Sequence, residues 1–264
     1  MERVLEKIVA ASRRELALRK TAVPATELER KLDGLPPVRD FRAALTAPGM
    51  QVIAELKAAS PSKGIIRQPL EVETLAAELE RSGAAALSVL TERNYFLGGL
   101  ENLERARKAV ELPLLRKDFI YDEYQILEAR AAGADAVLLI AAMLVPAEYR
   151  RLQKFAESLG LAVLSEAHTA GEIAMLLDNG ASIVGVNARN LSTFATDLGV
   201  VAELMGRIPA DKVRVSESAL KSNADLKQMK RLGADAFLIG ETLMRAASPG
   251  EKLCELIAKC KSAV

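Results

Sequence analysis

Two charged side chains close the apolar segment that begins at Val52. Glu55 and Lys57 follow Val52, Ile53 and Ala54, where a buried strand would ordinarily end. Because side chains alternate between the two faces of a strand, Glu55 and Lys57 point the same way as Ile53. An acid and a base on one face could exchange protons with one bound molecule, although a single pair of this kind is more often a surface ion pair.

The same arrangement, polar residues directly after an apolar strand, recurs along the chain. Its further members are Lys117, Glu166, Asn187, Arg189, Glu217 and Ser218. The residues before them are mostly Val, Ile, Leu and Ala, so groups that converge there would be partly removed from water. Burial and neighbouring charge push pKa values apart, as general acid–base catalysis requires. This position favours a catalytic role over a structural one.

A repeated pattern indicates which elements position these groups. Gly83, Gly133, Gly180 and Gly233 each follow a helical segment and precede small residues and an apolar strand. The glycines recur about every 50 residues, and because one βα unit takes ~30 residues or fewer, each interval holds two units. The remaining strands are found in QVIAEL, PLLRK, LAVLSE and KVRVSE.

Eight strands alternating with helices predict an α/β protein of the (β/α)₈ TIM-barrel type. Since no GxGxxG follows the first strand, a dinucleotide-binding sheet is disfavoured. Residues 1–264 are interpreted as one barrel domain, with residues 1–48 as a helical extension that caps the barrel or edges its mouth. In such barrels the carboxyl ends of the strands form the site, so the charged groups should meet on one rim.

The end of the eighth strand resembles an anion site. Gly240 and Glu241 open a short helical segment there, and Ser218–Ala219 follows the seventh strand, with Ser60 in the loop after the first. Backbone N–H groups at such a position favour a phosphate. The Glu241 side chain is expected to turn to solvent. The substrate is thus a phosphorylated, carboxylated small molecule, and isomerisation, aldol chemistry and ring closure all remain open.

Composition bounds the remaining possibilities. The chain has 264 residues, 50% hydrophobic and 27% charged, with a net charge of +1. No charge excess recruits nucleic acid or a membrane surface, and the longest apolar run is too short to span a bilayer. The N-terminus lacks a signal-peptide pattern, which indicates a cytoplasmic protein. We expect a monomer or weak homodimer.

The residues that bind metals and cofactors are sparse. One histidine, His168, and two cysteines, Cys254 and Cys260, suit no common metal site, so no metal or organic cofactor is expected. The cysteines are expected to be free thiols. His168 is interpreted as a polar loop residue.

At these residues the sequence resembles the indole-3-glycerol phosphate synthase family. The motifs that carry the resemblance run from about Val52 to Leu253: IAELKAASPSKG, LSVLTERNYFLGG, PLLRKDFIYDEYQILEARAAGADAVLLI, VNARNLSTFATDL, VSES and GADAFLIGETLMR. The resemblance implies a (β/α)₈ barrel that acts on 1-(2-carboxyphenylamino)-1-deoxyribulose 5-phosphate. The implied reaction is closure of the indole ring with loss of CO₂ and water by general acid–base catalysis, without a cofactor.

The resemblance also implies roles for proton-transfer residues. Lys117 resembles the general acid that protonates the substrate carbonyl, and Glu166 the carboxylate that transfers a proton during dehydration. Lys57 resembles the cation that meets the substrate carboxylate, with Glu55 orienting it. Glu217 and Ser218 resemble the last polar pair of the site.

Binding residues follow from the same motifs. Asn187 and Arg189 resemble the groups that hold the substrate carboxylate and a hydroxyl. The apolar slot for the aromatic ring is expected from Phe96, Phe119 and Leu138. Phosphate is expected between Ala219 and Gly240–Glu241.

The sequence departs from the family pattern at several positions. Ala219 stands where the family usually has Gly after SES, which implies a negative φ at this residue. Ala188 replaces a second Asn, Ala58 replaces a basic residue, and Gly98–Gly99 replaces a Gly-Ser pair. The alternative functions are a related barrel isomerase with a phosphoribosyl substrate and a catalytically inactive ligand-binding barrel. The isomerase would require a Cys or Asp acid–base pair at opposite strand ends.

Overall fold

The fold is a closed barrel of eight parallel strands, as predicted. The computed structural model describes residues 4–189 and 198–258. The strands are β1 (Gln51–Leu56), β2 (Ala86–Leu90), β3 (Leu114–Lys117), β4 (Ala136–Ile140), β5 (Ala162–Ala167), β6 (Ile183–Asn187), β7 (Val213–Glu217) and β8 (Ala236–Ile239). Each strand pairs with the next, and β8 pairs with β1 to close the barrel. A short hairpin follows β1, formed by the two-residue strands Ala59–Ser60 and Gly64–Ile65.

Helices separate the strands and surround the barrel. They are α1 (Val4–Ala22), α2 (Ala25–Leu32), α3 (Phe41–Thr46), α4 (Val72–Ser82), α5 (Leu100–Ala109), α6 (Glu123–Ala131), α7 (Pro146–Ser158), α8 (Ala170–Asp178), α9 (Leu198–Met205), α10 (Asn223–Arg231), α11 (Glu241–Met244) and α12 (Pro249–Leu256). A 3₁₀ turn spans Ala141–Met143. No helix in residues 4–189 and 198–258 is long and apolar enough to cross a bilayer.

The glycine repeat marks helix ends as expected. Gly83, Gly133, Gly180 and Gly233 have φ values of +99°, +90°, +91° and +99°. Glycine adopts this left-handed conformation at a helix end with little cost in free energy, because it has no Cβ to clash with the backbone. Each of these turns leads directly into the next strand, so the repeat sets where β2, β4, β6 and β8 begin.

The inside of the barrel is packed with apolar side chains in layers. Ile53, Leu115, Leu164 and Val215 come from β1, β3, β5 and β7 and are buried. Because side chains alternate along a strand, the next inward residue on each of these four strands lies one layer higher. That layer is charged, and it forms the floor of the cavity described below.

The N-terminal helices pack at both ends of the barrel. Phe41 and Leu45 of α3 are buried against the interior cluster, and α3 contacts β1, β2 and β7. At the opposite end, Leu5 and Ile8 of α1 line the cavity at the carboxyl ends of the strands. The extension therefore both plugs the bottom of the barrel and edges its mouth.

Candidate active site

A cavity of about 510 Å³ opens at the carboxyl ends of the strands. All the residues predicted as catalytic or substrate-binding line it: Glu55, Lys57, Ser60, Phe96, Lys117, Phe119, Leu138, Glu166, Asn187, Arg189, Glu217, Ser218, Ala219, Gly240 and Glu241. The structure therefore brings the predicted set together. Lining residues that sequence reasoning did not single out include Leu5, Ile8, Lys63, Lys221 and Arg245.

Lys117 lies between two carboxylates at the floor of the cavity. Its Nζ is 2.8 Å from Glu166 Oε2 and 2.8 Å from Glu217 Oε2. With Glu55, these residues are the last or the last but one of β1, β3, β5 and β7, the alternate strands that fill one layer of such a barrel. The charges thus sit one layer above the packed apolar interior, and both glutamates are almost fully buried.

The three groups differ in their affinity for protons. Burial disfavours the charge on Lys117, but Glu166 and Glu217 outweigh it and raise the lysine pKa. Burial also disfavours ionised Glu166, yet Lys117 and His168 lower its pKa to about 2. Burial, opposed by Lys117 and reinforced by Glu166, raises the pKa of Glu217 to about 7. Lys117 is thus a protonated amine, Glu166 stays ionised, and Glu217 can gain or lose a proton near neutral pH.

Glu55 and Lys57 form a buried ion pair at the tip of β1. Lys57 Nζ contacts Glu55 Oε1, and their side chains are only 15% and 3% exposed. The surface ion pair considered for these residues is therefore wrong. Because strand alternation points both side chains inward, the ammonium of Lys57 is presented to the cavity with Glu55 holding it from below.

Two glycines make room for the buried carboxylates. A Cβ at Gly185 would collide with the Glu217 carboxylate, and a Cβ at Gly240 would collide with that of Glu55. Each glycine lies on the strand next to the carboxylate it faces, β6 beside β7 and the end of β8 beside β1. Gly185 was not predicted as a site residue. Its one signal in the sequence is a glycine inside an apolar strand, which commonly marks a close approach.

Polar groups on the β6 side of the cavity form a connected chain. Asn187 donates from Nδ2 to Glu166 Oε1 at 3.2 Å and accepts the Arg189 backbone N–H at 3.0 Å. Arg189 donates to Ser62 Oγ at 2.9 Å and to Glu241 Oε2 at 3.2 Å. The Arg189 guanidinium is thereby fixed over the mouth of the cavity.

The Glu241 side chain does not turn to solvent, contrary to the expectation. Its Oε1 accepts a hydrogen bond from Arg245 Nε at 3.0 Å, and its Oε2 pairs with Arg189. Burial opposes ionisation, but the two arginines outweigh it and lower the pKa of Glu241. The carboxylate is neutralised at the rim instead of being directed into water.

The expected negative φ at Ala219 is also wrong. Ser218 and Ala219 have φ values of +68° and +59°. Two consecutive non-glycine residues in the left-handed region carry backbone strain, because the Cβ crowds the following carbonyl. The turn after β7 therefore keeps the shape that a glycine would adopt easily.

The apolar side of the cavity is built by Phe96, Phe119 and Leu138. The two phenylalanine rings lie 6.0 Å apart between centroids, tilted by 44°. Leu138 on β4 belongs to the barrel interior, and Ile8 of α1 packs in the same cluster. These side chains form an apolar wall of the cavity next to the charged floor, against which a planar aromatic ring could pack.

The acid–base pair of an isomerase is not found in the described residues. Cys254 lies on α12 and donates to the Ser82 carbonyl at 3.6 Å, while Cys260 is outside the described residues. Asp118 lines the cavity, but its carboxylate is engaged by Thr91 Oγ1 at 2.6 Å and Arg116 Nη2 at 2.9 Å. No group of three or more metal-ligating side chains occurs within residues 4–189 and 198–258.

His168 is a loop residue, as expected, but it was not predicted to approach the site. It lies in the bend after β5 with its side chain 11% exposed, and its Nε2 is 3.4 Å from Glu166 Oε1. The one sequence signal was its position two residues after Glu166.

The fold and this rim define an enzyme of the (β/α)₈-barrel class. Solved structures of low identity share the fold. A 3-hexulose-6-phosphate synthase from Salmonella typhimurium superposes with a TM-score of 0.65 at 14% identity, covering 79% of this chain and 97% of that one. A mutant tryptophan synthase α-subunit from Pyrococcus furiosus gives 0.61 at 14% identity, covering 80% and 98%.

Sequence comparison then identifies the family. The family model described as indole-3-glycerol phosphate synthase matches residues 5–256. An indole-3-glycerol phosphate synthase from Alkaliphilus metalliredigens is 46% identical over 254 residues, 96% of this chain and 97% of that one. One from Koribacter versatilis is 48% identical over 260 residues, 97% and 100% of the two chains. The chain belongs to the indole-3-glycerol phosphate synthase family, and the predicted function, a lyase of tryptophan biosynthesis, is confirmed.

Proposed function

We propose that the layer of Glu55, Lys117, Glu166 and Glu217 carries out the ring closure of 1-(2-carboxyphenylamino)-1-deoxyribulose 5-phosphate. The observation that carries the proposal is Lys117 held at 2.8 Å from each of two carboxylates whose pKa values shift in opposite directions. The site then contains a proton donor, Lys117, and two carboxylates, Glu166 and Glu217, that differ in their affinity for a proton. Ring closure followed by dehydration needs both functions in sequence.

Lys117 is the general acid of the first step. Its raised pKa keeps it protonated, and its Nζ lines the cavity with the ammonium available to a carbonyl oxygen. Protonation of that oxygen lets the carboxylate-bearing ring carbon bond to the carbonyl carbon. Loss of CO₂ then returns the C–C electron pair to the ring. The new hydroxyl takes a proton from Lys117, which solvent has reprotonated, and leaves as water. Ionised Glu166 accepts the proton that the neighbouring carbon releases as the indole double bond forms.

The cations beside this layer hold the ends of the substrate. Lys57, fixed by Glu55, meets the substrate carboxylate, and Asn187 with Arg189 holds this carboxylate and a hydroxyl. Glu217 and Ser218 complete the polar wall. A carboxylate that is about to leave as CO₂ must lose its hydration, and the slot of Phe96, Phe119 and Leu138 supports this by keeping the aromatic ring out of water.

Phosphate binds at the rim between Ala219 and Gly240–Glu241, with Ser60 nearby. Lys63, Lys221 and Arg245 line this part of the cavity and add positive charge to the backbone N–H groups. Arg189 and Arg245 cancel the charge of Glu241, which removes the repulsion that its carboxylate would otherwise exert on phosphate.

The protein works without a cofactor, as one barrel domain with its extension, in the cytoplasm. Its partner is the phosphorylated, carboxylated small molecule, and it acts as a monomer or weak homodimer without nucleic acid or membrane.

Indole fluorescence tests the proposed function directly. The purified chain is mixed with the carboxyphenylamino substrate, and appearance of the indole product is followed with time. Turnover that disappears in Lys117→Ala and persists in Lys154→Ala, an exposed lysine on α7, supports the proposal. Tight binding of the substrate without turnover would instead make the chain a ligand-binding barrel. Turnover of a phosphoribosyl substrate alone would make it an isomerase.

A further inference from the structure

His168 lies between two carboxylates, one of the active site and one at the outer surface of the barrel. Its Nε2 is 3.4 Å from Glu166 Oε1, and its Nδ1 is 3.7 Å from Glu172 Oε2. Within the described chain, neither ring nitrogen forms a hydrogen bond of good geometry with a protein group, and both nitrogens are buried. A buried imidazole with a carboxylate facing each nitrogen is suited to carry two protons and a positive charge.

The local sequence fixes this geometry. The His168 backbone N–H donates to Glu172 Oε2 at 2.6 Å, and Thr169 caps α8 by accepting the Glu172 N–H at 3.2 Å. Glu172 is therefore held in the first turn of α8, four residues after His168 and beside its ring. The ring of His168, in the bend directly after β5, lies next to Glu166.

We infer that His168 is a positioning residue that, as an imidazolium bridging Glu166 and Glu172, keeps Glu166 ionised and oriented throughout the catalytic cycle. This inference rests on the proposed role of Glu166 in proton transfer. The two cations approach different oxygens of Glu166: Lys117 contacts Oε2, whereas His168 faces Oε1. When Lys117 gives its proton to the substrate, Oε2 loses its cationic partner. The imidazolium at Oε1 then remains to stabilise the carboxylate.

The groups around the ring favour its charged form. Burial opposes protonation, but Glu172 and Glu166, with Glu217 further away, outweigh it and raise the pKa of His168. Lys117 is the cation on the other side of Glu166, and Asn187 is the neutral donor that shares Oε1. Glu172 is 22% exposed and so connects the buried imidazole to water, where the proton of the ring can be replaced.

The experiment uses the fact that the chain has one histidine. Isotope-labelled histidine in the full chain, without a histidine tag, gives one imidazole signal in NMR spectra. Its chemical shift against pH reports the titration of His168 alone. We expect the ring to titrate above the ordinary histidine value of 6.5. In Glu172→Gln, which keeps the acceptor for the backbone N–H but removes the charge, the titration should move about one pH unit lower. Glu203→Gln, a carboxylate 71% exposed on α9, serves as the matched control and should not move it.

Kinetics supply the second readout. In His168→Gln, Glu166 loses the cation at Oε1 while Lys117 still contacts Oε2, so kcat should fall about tenfold. Substrate binding at neutral pH should change much less, since His168 does not line the cavity.

Several results would overturn the inference. They are a wild-type ring that titrates at or below the ordinary value, a titration unchanged in Glu172→Gln, or a kcat unchanged in His168→Gln. If His168→Gln does not fold, the titrations of wild type and Glu172→Gln still decide the charge on the ring. A chain without synthase turnover whose histidine titrates as expected would refute the proposed function and leave the bridge intact.

Discussion

The Glu217 carboxylate occupies the space that a side chain at Gly185 would fill. Gly185 lies on β6 opposite Glu166 on β5 and Val215 on β7, so it separates the two carboxylates that share Lys117. Its lack of a side chain allows Glu217 to lean across β6 toward the lysine. A strand interior normally favours a β-branched residue at such a position. The glycine therefore serves the geometry of the site at the expense of packing.

Gly185→Ala should reduce both turnover and stability. The added methyl group displaces Glu217 from Lys117 Nζ, and we expect kcat to fall about tenfold to a hundredfold, since general acid–base groups must be held in place. Overpacking of the barrel should lower the free energy of unfolding by about 1–3 kcal/mol. Steady-state kinetics and urea unfolding measure the two effects. Gly171→Ala is the control, because nothing lies within 4 Å of a Cβ there. Unchanged kcat in Gly185→Ala would show that Glu217 does not need its contact with Lys117.

Lys117→Ala should abolish turnover while substrate still binds. Its proton is the one given to the carbonyl, and a general acid contributes about 10²–10⁴ in rate. Binding should persist because Lys57, Arg189 and the phosphate rim remain. Single-turnover kinetics and equilibrium titration with the substrate separate the two effects. Retention of more than about a tenth of kcat would remove Lys117 from this role.

Glu217→Gln should make the protein more stable at alkaline pH and inactive or nearly so. The pKa of Glu217 rises from an ordinary 4.5 to about 7 on folding. Between these values the folded chain holds a proton that the unfolded chain has lost, so this group's contribution to stability falls as pH rises. Glutamine mimics the protonated form and avoids that loss.

Urea unfolding of Glu217→Gln and wild type from pH 4 to 8 checks this expectation. The two should be equally stable below about pH 4.5, and the variant should gain on the order of 3 kcal/mol above pH 7. Glu203→Gln, on the exposed side of α9, should show no such trend. A variant less stable than wild type at every pH would mean that the ion pair with Lys117 outweighs the burial of Glu217.

Much of this site could be predicted from the order of residue types along the chain. Strand alternation placed Glu55 and Lys57 on one face, and the glycine spacing gave eight strands whose ends must meet. The wrong expectations concern properties that depend on partners from other strands. Glu241 pairs with Arg245, four residues further along the chain, and with Arg189, which follows β6 and meets it only in the folded barrel.

Gly185 and His168 were missed for the same reason. The role of Gly185 depends on Glu217, which follows 32 residues later on the neighbouring strand. The sequence predicts a loop residue at His168, but it does not say that the ring is turned inward between Glu166 and Glu172. The positive φ of Ala219 contradicts the intrinsic preference of alanine, and the tertiary structure imposes it.

Activity should be independent of metal ions. The proposed proton donor is an ammonium, and the cavity is lined by glutamates already paired with Lys57, Lys117 or arginine side chains. Such carboxylates have little capacity left for a divalent cation. Indole formation should be unchanged after dialysis against a strong chelator. Loss of turnover that Mg²⁺ or Zn²⁺ restores would contradict this expectation.

Substitutions at Gly240 and Ala219 test the proposed phosphate site. Gly240→Asp adds bulk and negative charge beside the phosphate rim, so KM should rise strongly. Gly240→Ala should raise KM less but also lower kcat, because its Cβ meets the Glu55 side chain that holds Lys57.

Ala219→Gly should leave KM equal or lower and stabilise the fold by about 1 kcal/mol, since glycine adopts φ of +59° without strain. Ala258→Gly is the matched control: it has φ of +53° outside the cavity, so its KM should not change. A crystal structure with bound phosphate decides the position directly, and an anion elsewhere on the rim, with KM indifferent to Gly240→Asp, would show that the phosphate site has been misplaced.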